Sequence, residues 1–241
     1  RLFHGNFWAN IEIDLTTGQF TERPNLCPTP DALLQMCDPD FMVESLHDDL
    51  MVMLYAMERF DVEGDMPLLN QLAHHLSEAP IDTSDPQTTL EGVTRLKLAY
   101  GFAASRYLVD QAQQFLDGLG KQLLVCLLCP TATNQVLNGQ PRYDQAFADH
   151  LREADFRVFD MNEIHGEDFG DFNLSVDDYR RRYWIGHYSP AGNHFFAYHL
   201  KNTVVYWLEP KPRTYRGDTM AISDFSGYLP DTAMLREVAS G

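Results

Sequence analysis

Apolar and polar positions change rhythm along the chain, and the changes mark its elements. Asn10-Ile11-Glu12-Ile13-Asp14-Leu15 alternates polar and apolar, as a half-buried strand does, and Thr16-Thr17-Gly18 supplies the turn that follows. Pro28-Thr29-Pro30-Asp31 predicts a helix start, with Thr29 as N-cap and Pro30 at the first helical position. The apolar run Phe41-Met42-Val43-Glu44-Ser45-Leu46 reads as a central strand entering the polar cluster His47-Asp48-Asp49. Leu50 to Phe60 and Met66 to Leu76 are apolar enough for helices. A long helix follows from about Leu90 to Leu119, with Leu108, Ala112, Phe115, Leu116 and Leu119 on one face and Gly120 closing it.

From residue 120 onward the pattern alternates strand and helix. Residues 122–129 form a continuous apolar run, as expected of a central parallel strand buried on both faces. A loop with Pro130, Asn134 and Asn138-Gly139 leads to a helix over 143–153, where Tyr143, Phe147 and Leu151 share a face. Phe156-Arg157-Val158-Phe159-Asp160 is the next strand, and Glu163 to Asp178 reads as an acidic loop. Ile185-Gly186-His187-Tyr188-Ser189-Pro190-Ala191-Gly192-Asn193 then opens a helix whose Ala197, Leu200, Val204 and Leu208 form one stripe. This grammar predicts one three-layer α/β/α domain with a mostly parallel sheet, flavodoxin-like, over residues 1–212. A helical insertion occupies about 50–100, and a tail over 213–241 packs on the surface. Sites in such folds gather at the carboxyl ends of the strands, so the loops at 47–49, 130–138, 160–168 and 184–193 would share one edge.

Composition narrows the function. The 241 residues carry a formal net charge of −17, which argues against nucleic acid and anionic membrane surfaces as partners. No apolar run reaches the length of a membrane span. Cys27, Cys37, Cys126 and Cys129 make no disulfide framework at this length, and free thiols favour a reducing, cytoplasmic setting for a soluble protein. Cys126 and Cys129 have metal-motif spacing without a second pair, so packing is the preferred reading and neither metal nor cofactor is expected.

His187 precedes a helix start, where it can act as a base or simply cap the helix. Ser189 lies two residues from His187 and precedes Pro190, which suits a turn better than a nucleophile. Ser45 reads as a buried hydroxyl. His47 with Asp49 could converge on a cation only with a third ligand from elsewhere, and His74-His75 point different ways on a helix. Asn134 and Asn193 read as cap or turn residues.

Over residues 120–208 the chain resembles the SGNH (GDSL-like) hydrolase superfamily. The resemblance rests on the apolar strand ending at Pro130, the helix opening with Tyr143-Asp144, the strand ending at Asp160, and Gly186-His187-Tyr188-Ser189-Pro190-Ala191-Gly192-Asn193 leading to Ala197. It implies a serine esterase or acyl hydrolase acting on a small ester or a carbohydrate O-acyl group, with His187 as general base. Asp160 or Asp178 would orient the imidazole, and His47, Asp48, Asp49, Asn134, Trp184 and Asn193 would line the site. Asp49 or Asp48 falls where the family places an oxyanion-hole Asn, yet an ionised carboxylate cannot donate there. Trp184 stands where many members carry an Asp, and the Gly-Asp-Ser-like nucleophile turn is absent. The first recognisable strand matches the family's second, and the start at Arg1 is consistent with a first strand and serine turn upstream. The alternative is a catalytically inactive relative serving as a binding or scaffold module.

Overall fold

A computed structural model describes residues 10–24 and 26–207, so Leu208 and the tail expected over 213–241 lie outside the described residues. The chain divides into two compact units, Arg1–Asn173 and Leu174–Gly241.

The first unit begins with a hairpin. Strands β1 (Asn10–Asp14) and β2 (Gln19–Arg23) pair antiparallel, with Ile13 opposite Phe20. Its turn is held by the Asp14 carboxylate, which accepts from the Thr16 amide at 2.7 Å and the Thr17 hydroxyl at 3.0 Å. Five helices follow: α1 (Pro30–Gln35), α2 (Pro39–Leu46), α3 (Leu50–Phe60), α4 (Met66–His75) and the 33-residue α5 (Pro86–Gly118). Each opens on a side chain that accepts a first-turn amide: Thr29, Asp38, Asp49, Asp65 and Asp85 in turn. Ile13, Leu54, Leu69, Leu72, Val93 and Leu96 form the core between hairpin and helices.

These carboxylates make the unit acid-sensitive. The Thr16 amide and Thr17 hydroxyl hold Asp14 below the usual carboxylate range, and the Thr88 hydroxyl and amide do the same for Asp85. Glu58 is lowered first by its hydrogen bond from Lys97. Between the lowered folded values and the ordinary ones the unfolded chain binds more protons, so stability falls as pH falls. Denaturant midpoints are expected to be flat from neutral pH to about 5 and to decline below about 4. A midpoint that rises on acidification would contradict this.

The second half of the unit holds a parallel strand pair. Strands β3 (Leu124–Leu127) and β4 (Arg157–Asp160) pair with Leu124 opposite Arg157 and Leu127 opposite Asp160. Between them lie α6 (Pro130–Leu137) and α7 (Gln145–Glu153), and α8 (Met161–Gly170) follows β4. The second unit contains α9 (Val176–Tyr183) and α10 (Pro190–Trp207).

The three-layer α/β/α architecture is overturned. Among the described residues there are two sheets of two strands each, and the molecule is mostly helical. Phe41–Leu46, expected as a central strand, lies in α2: Pro39 sits in its first turn and Asp38 accepts from the Asp40 amide at 3.0 Å. A short apolar run cannot by itself distinguish strand from helix, and here the start signal decides. The run 122–129 shortens to four residues, with the Cys126 side chain exposed, so β3 is not buried on both faces. The acidic loop expected over 163–178 is largely α8 and α9, because Asp160 and Ser175 each cap a helix start. No helix among the described residues is long and apolar enough to cross a membrane.

Candidate functional site

The His187 loop is built by hydrogen bonds closing over a tight turn. Trp184 and Tyr188 form an antiparallel bridge, the Ile185 amide donates to the His187 carbonyl at 2.8 Å, and the Ser189 amide donates to the Tyr183 carbonyl at 2.8 Å. Gly186 turns the corner at φ +96°, a backbone region that side chains disfavour. The buried Ser189 fastens both ends: its hydroxyl donates to the Arg182 carbonyl and accepts from the Gly192 amide, each at 3.2 Å. Beneath the loop, Tyr183 stacks on Phe195 at 4.8 Å, and Trp184 tilts against Tyr188 at 5.1 Å. Burial pushes the Tyr188 phenol above its ordinary pKa.

His187 stands exposed on this frame, with Nδ1 2.8 Å from the Tyr188 carbonyl oxygen. A carbonyl oxygen only accepts, so Nδ1 carries a proton in this contact and the other ring nitrogen, Nε2, is left to other partners. Asp178, the expected orienting acid, belongs to the opening of α9. Its amide donates to the Ser175 hydroxyl oxygen at 3.1 Å, its carboxylate accepts from that hydroxyl at 2.6 Å, and Arg181 lies 3.4 Å away. Trp184 ends α9, and Asn193 is exposed in the first turn of α10, its amide bonded to the Ser189 carbonyl at 2.9 Å. Both described serines of this unit, Ser175 and Ser189, are engaged at helix starts.

Gly192 sets the fit of loop to helix. A Cβ there would overlap the Tyr183 carbonyl oxygen and come 2.7 Å from the Tyr188 ring. Gly192→Ala is expected to cost about 1–3 kcal/mol and to displace the carbonyl that holds His187. A variant with unchanged melting and an unchanged His187 Nδ1 proton signal would contradict this.

In the first unit the polar interest lies at the carboxyl ends of β3 and β4. Buried Arg142 forks onto Asp144, with Nε to Oδ1 and Nη2 to Oδ2 both at 2.9 Å, and its Nη1 donates to Asp160 at 2.6 Å. Its two carboxylate partners outweigh desolvation and hold the guanidinium charged. Asp160 also accepts from Arg152 at 3.2 Å and from the amide and side chain of Asn162, both at 3.0 Å. Four donors use its acceptor capacity, so Asp160 acts as an ion-pair centre of the first unit. Asn162, on the far side, accepts from the Cys129 amide at 3.0 Å and the Thr133 hydroxyl at 2.8 Å. The segments after β3 and β4, expected as loops, are the helices α6 and α8, and Asn162 of α8 joins them.

Cys129 precedes α6, its sulfur 3.2 Å from the Tyr143 hydroxyl. Burial raises the thiol's pKa, but the Tyr143 bond and the Ala132 and Thr131 amides outweigh it, leaving it below the ordinary value. Asn134 lies within α6, where its carbonyl accepts from the Asn138 side chain at 2.7 Å. The 47–49 cluster is spent on helix ends. His47 Nδ1 lies 3.0 Å from the Glu44 carbonyl, exposed Asp48 is 3.9 Å from Arg23, and Asp49 caps α3 through the Met51 and Val52 amides. No cluster of three or more His, Cys, Asp or Glu able to hold a metal occurs among the described residues.

Sequence reasoning missed Arg142, Arg152 and Asn162. An arginine two residues before an aspartate, ahead of a strand ending in another aspartate, was the available signal. No protein-family model matches this chain, and neither a curated protein nor a solved structure matches it.

Proposed function

We propose that the chain contributes the general base of an SGNH-like acyl-ester hydrolase, with His187 as that base and a small ester or carbohydrate O-acyl group as substrate. The observation that carries this reading is the His187 Nδ1 contact with the Tyr188 carbonyl. In this arrangement the backbone carbonyl does the work usually given to an orienting carboxylate. It fixes the tautomer and aims Nε2 outward, where a hydroxyl can deliver its proton. Asp178 serves α9 instead, and Trp184 and Asn193, at the two ends of the loop, are the candidate substrate contacts.

Ser175 and Ser189 are held at their helix starts, so in this reading neither is the attacking serine, which the given sequence does not supply. That same commitment favours a second reading, a binding or scaffold module that keeps the loop without the chemistry. The two readings separate on hydrolysis of p-nitrophenyl acetate by the intact gene product. Turnover that depends on His187 supports the hydrolase. Turnover unchanged in His187→Ala removes His187 from the mechanism, and absence of turnover in the wild type leaves the binding module.

A further inference from the structure

We propose that the groove along the first two thirds of α5 binds a long-chain carboxylate, its head at Arg106 and its tail over Phe102 and Leu98 towards Leu90. The groove has a volume of about 710 Å³, within the ordinary range of small-molecule sites. It runs from Gln87 to Arg106, roughly 28 Å along the helix, so it suits an elongated ligand. Its apolar wall is formed by Leu90, Leu98 and Phe102, with Leu90 and Leu98 exposed on a helix whose opposite face is core.

Charge assigns the direction. At one end Arg106 donates from Nη2 to the Ala146 carbonyl at 3.3 Å, while its Nε is buried and meets no acceptor. Among the described residues Arg106 enters no ion pair, although the chain carries a net charge of −17. That Nε is shut off from solvent and so from a ligand, but half-buried Arg106 lines the groove without a carboxylate partner, and an anionic head would pair with its accessible N–H groups. At the other end Arg95 is already paired with Glu78 at 2.9 Å, and Glu91 accepts from Gln87 at 2.7 Å. Carboxylates there repel an anionic head, so the head seats at Arg106 and the tail lies over the leucines.

The test is calorimetric titration of the full chain with dodecanoate below its micelle concentration. Micromolar binding is expected, weakened at least about ten-fold in Arg106→Gln and unchanged in the exposed-site control Arg59→Gln. Dodecyltrimethylammonium, with the same tail and the opposite charge, is expected not to bind. Leu98→Glu places a carboxylate in the tail path without touching Arg106 and is expected to abolish binding, which covers the case that Arg106→Gln fails to fold. Absence of dodecanoate binding overturns the proposal, as does equal affinity in folded Arg106→Gln or equal binding of the cationic amphiphile.

Discussion

Replacing Arg142 with Met is expected to lower the unfolding free energy of the first unit by about 3–5 kcal/mol, the cost of stranding buried charge. The Arg142 side chain is almost wholly buried, and so are its partners Asp144 and Asp160. Its fork gives Asp144 both of its strong donors, and only Arg152 and Asn162 would remain on Asp160. Arg142→Lys is expected to recover little, because an ammonium cannot span both carboxylates in the geometry of the planar fork. Arg142→Met combined with Asp144→Asn should be milder than the single change, since one stranded charge is removed with its partner. Urea denaturation of the three variants provides the comparison. A loss below about 1 kcal/mol for Arg142→Met would mean that the network is solvated and structurally incidental.

His187→Ala has the other large expected effect, a fall of about 10²–10⁴-fold in kcat/KM for ester hydrolysis, the usual contribution of a positioned base. Because His187 is exposed and bonds only to its neighbour's carbonyl, unfolding should change by less than about 0.5 kcal/mol. That separation of activity from stability is what distinguishes a base from a packing residue. Added imidazole should restore part of the lost rate in the alanine variant. A variant that loses stability in proportion to activity would make His187 a structural element of the loop.

Local structure was legible where short-range signals were strong. Thr29 and Pro30 mark α1, Gly120 follows the end of α5 with φ +61°, and the alternation at 10–14 is β1. What failed was the inference from apolar runs to a sheet. Phe41–Leu46 has the composition of a strand, but Asp38-Pro39 ahead of it starts a helix, and only the amide bond to Asp38 reveals which tendency prevails. The run at 122–129 does yield a strand over Leu124–Leu127, yet its described neighbour is β4 alone, and the number of partners a strand finds is set by the rest of the chain. In the His187 loop, composition suggested an exposed histidine at a helix start. The Tyr188 carbonyl contact and the Ser189 tether were invisible, because both depend on a turn closed by backbone atoms that every residue shares. The ion-pair centre at Asp160 was hidden for another reason. Its arginine donors come from 8 and 18 residues away, beyond the reach of helical or strand periodicity.

Every strand described here is an edge strand, since each has a single strand neighbour. Edges are where separate molecules join by main-chain pairing, and β3, flanked by Leu123 and Leu128 with Cys126 exposed, is the most apolar of them. Mutual repulsion between copies carrying a charge of −17 opposes that contact. Salt screens the repulsion while leaving the apolar attraction intact, so concentrated protein should be most prone to association through β3 at high ionic strength and best behaved in dilute buffer.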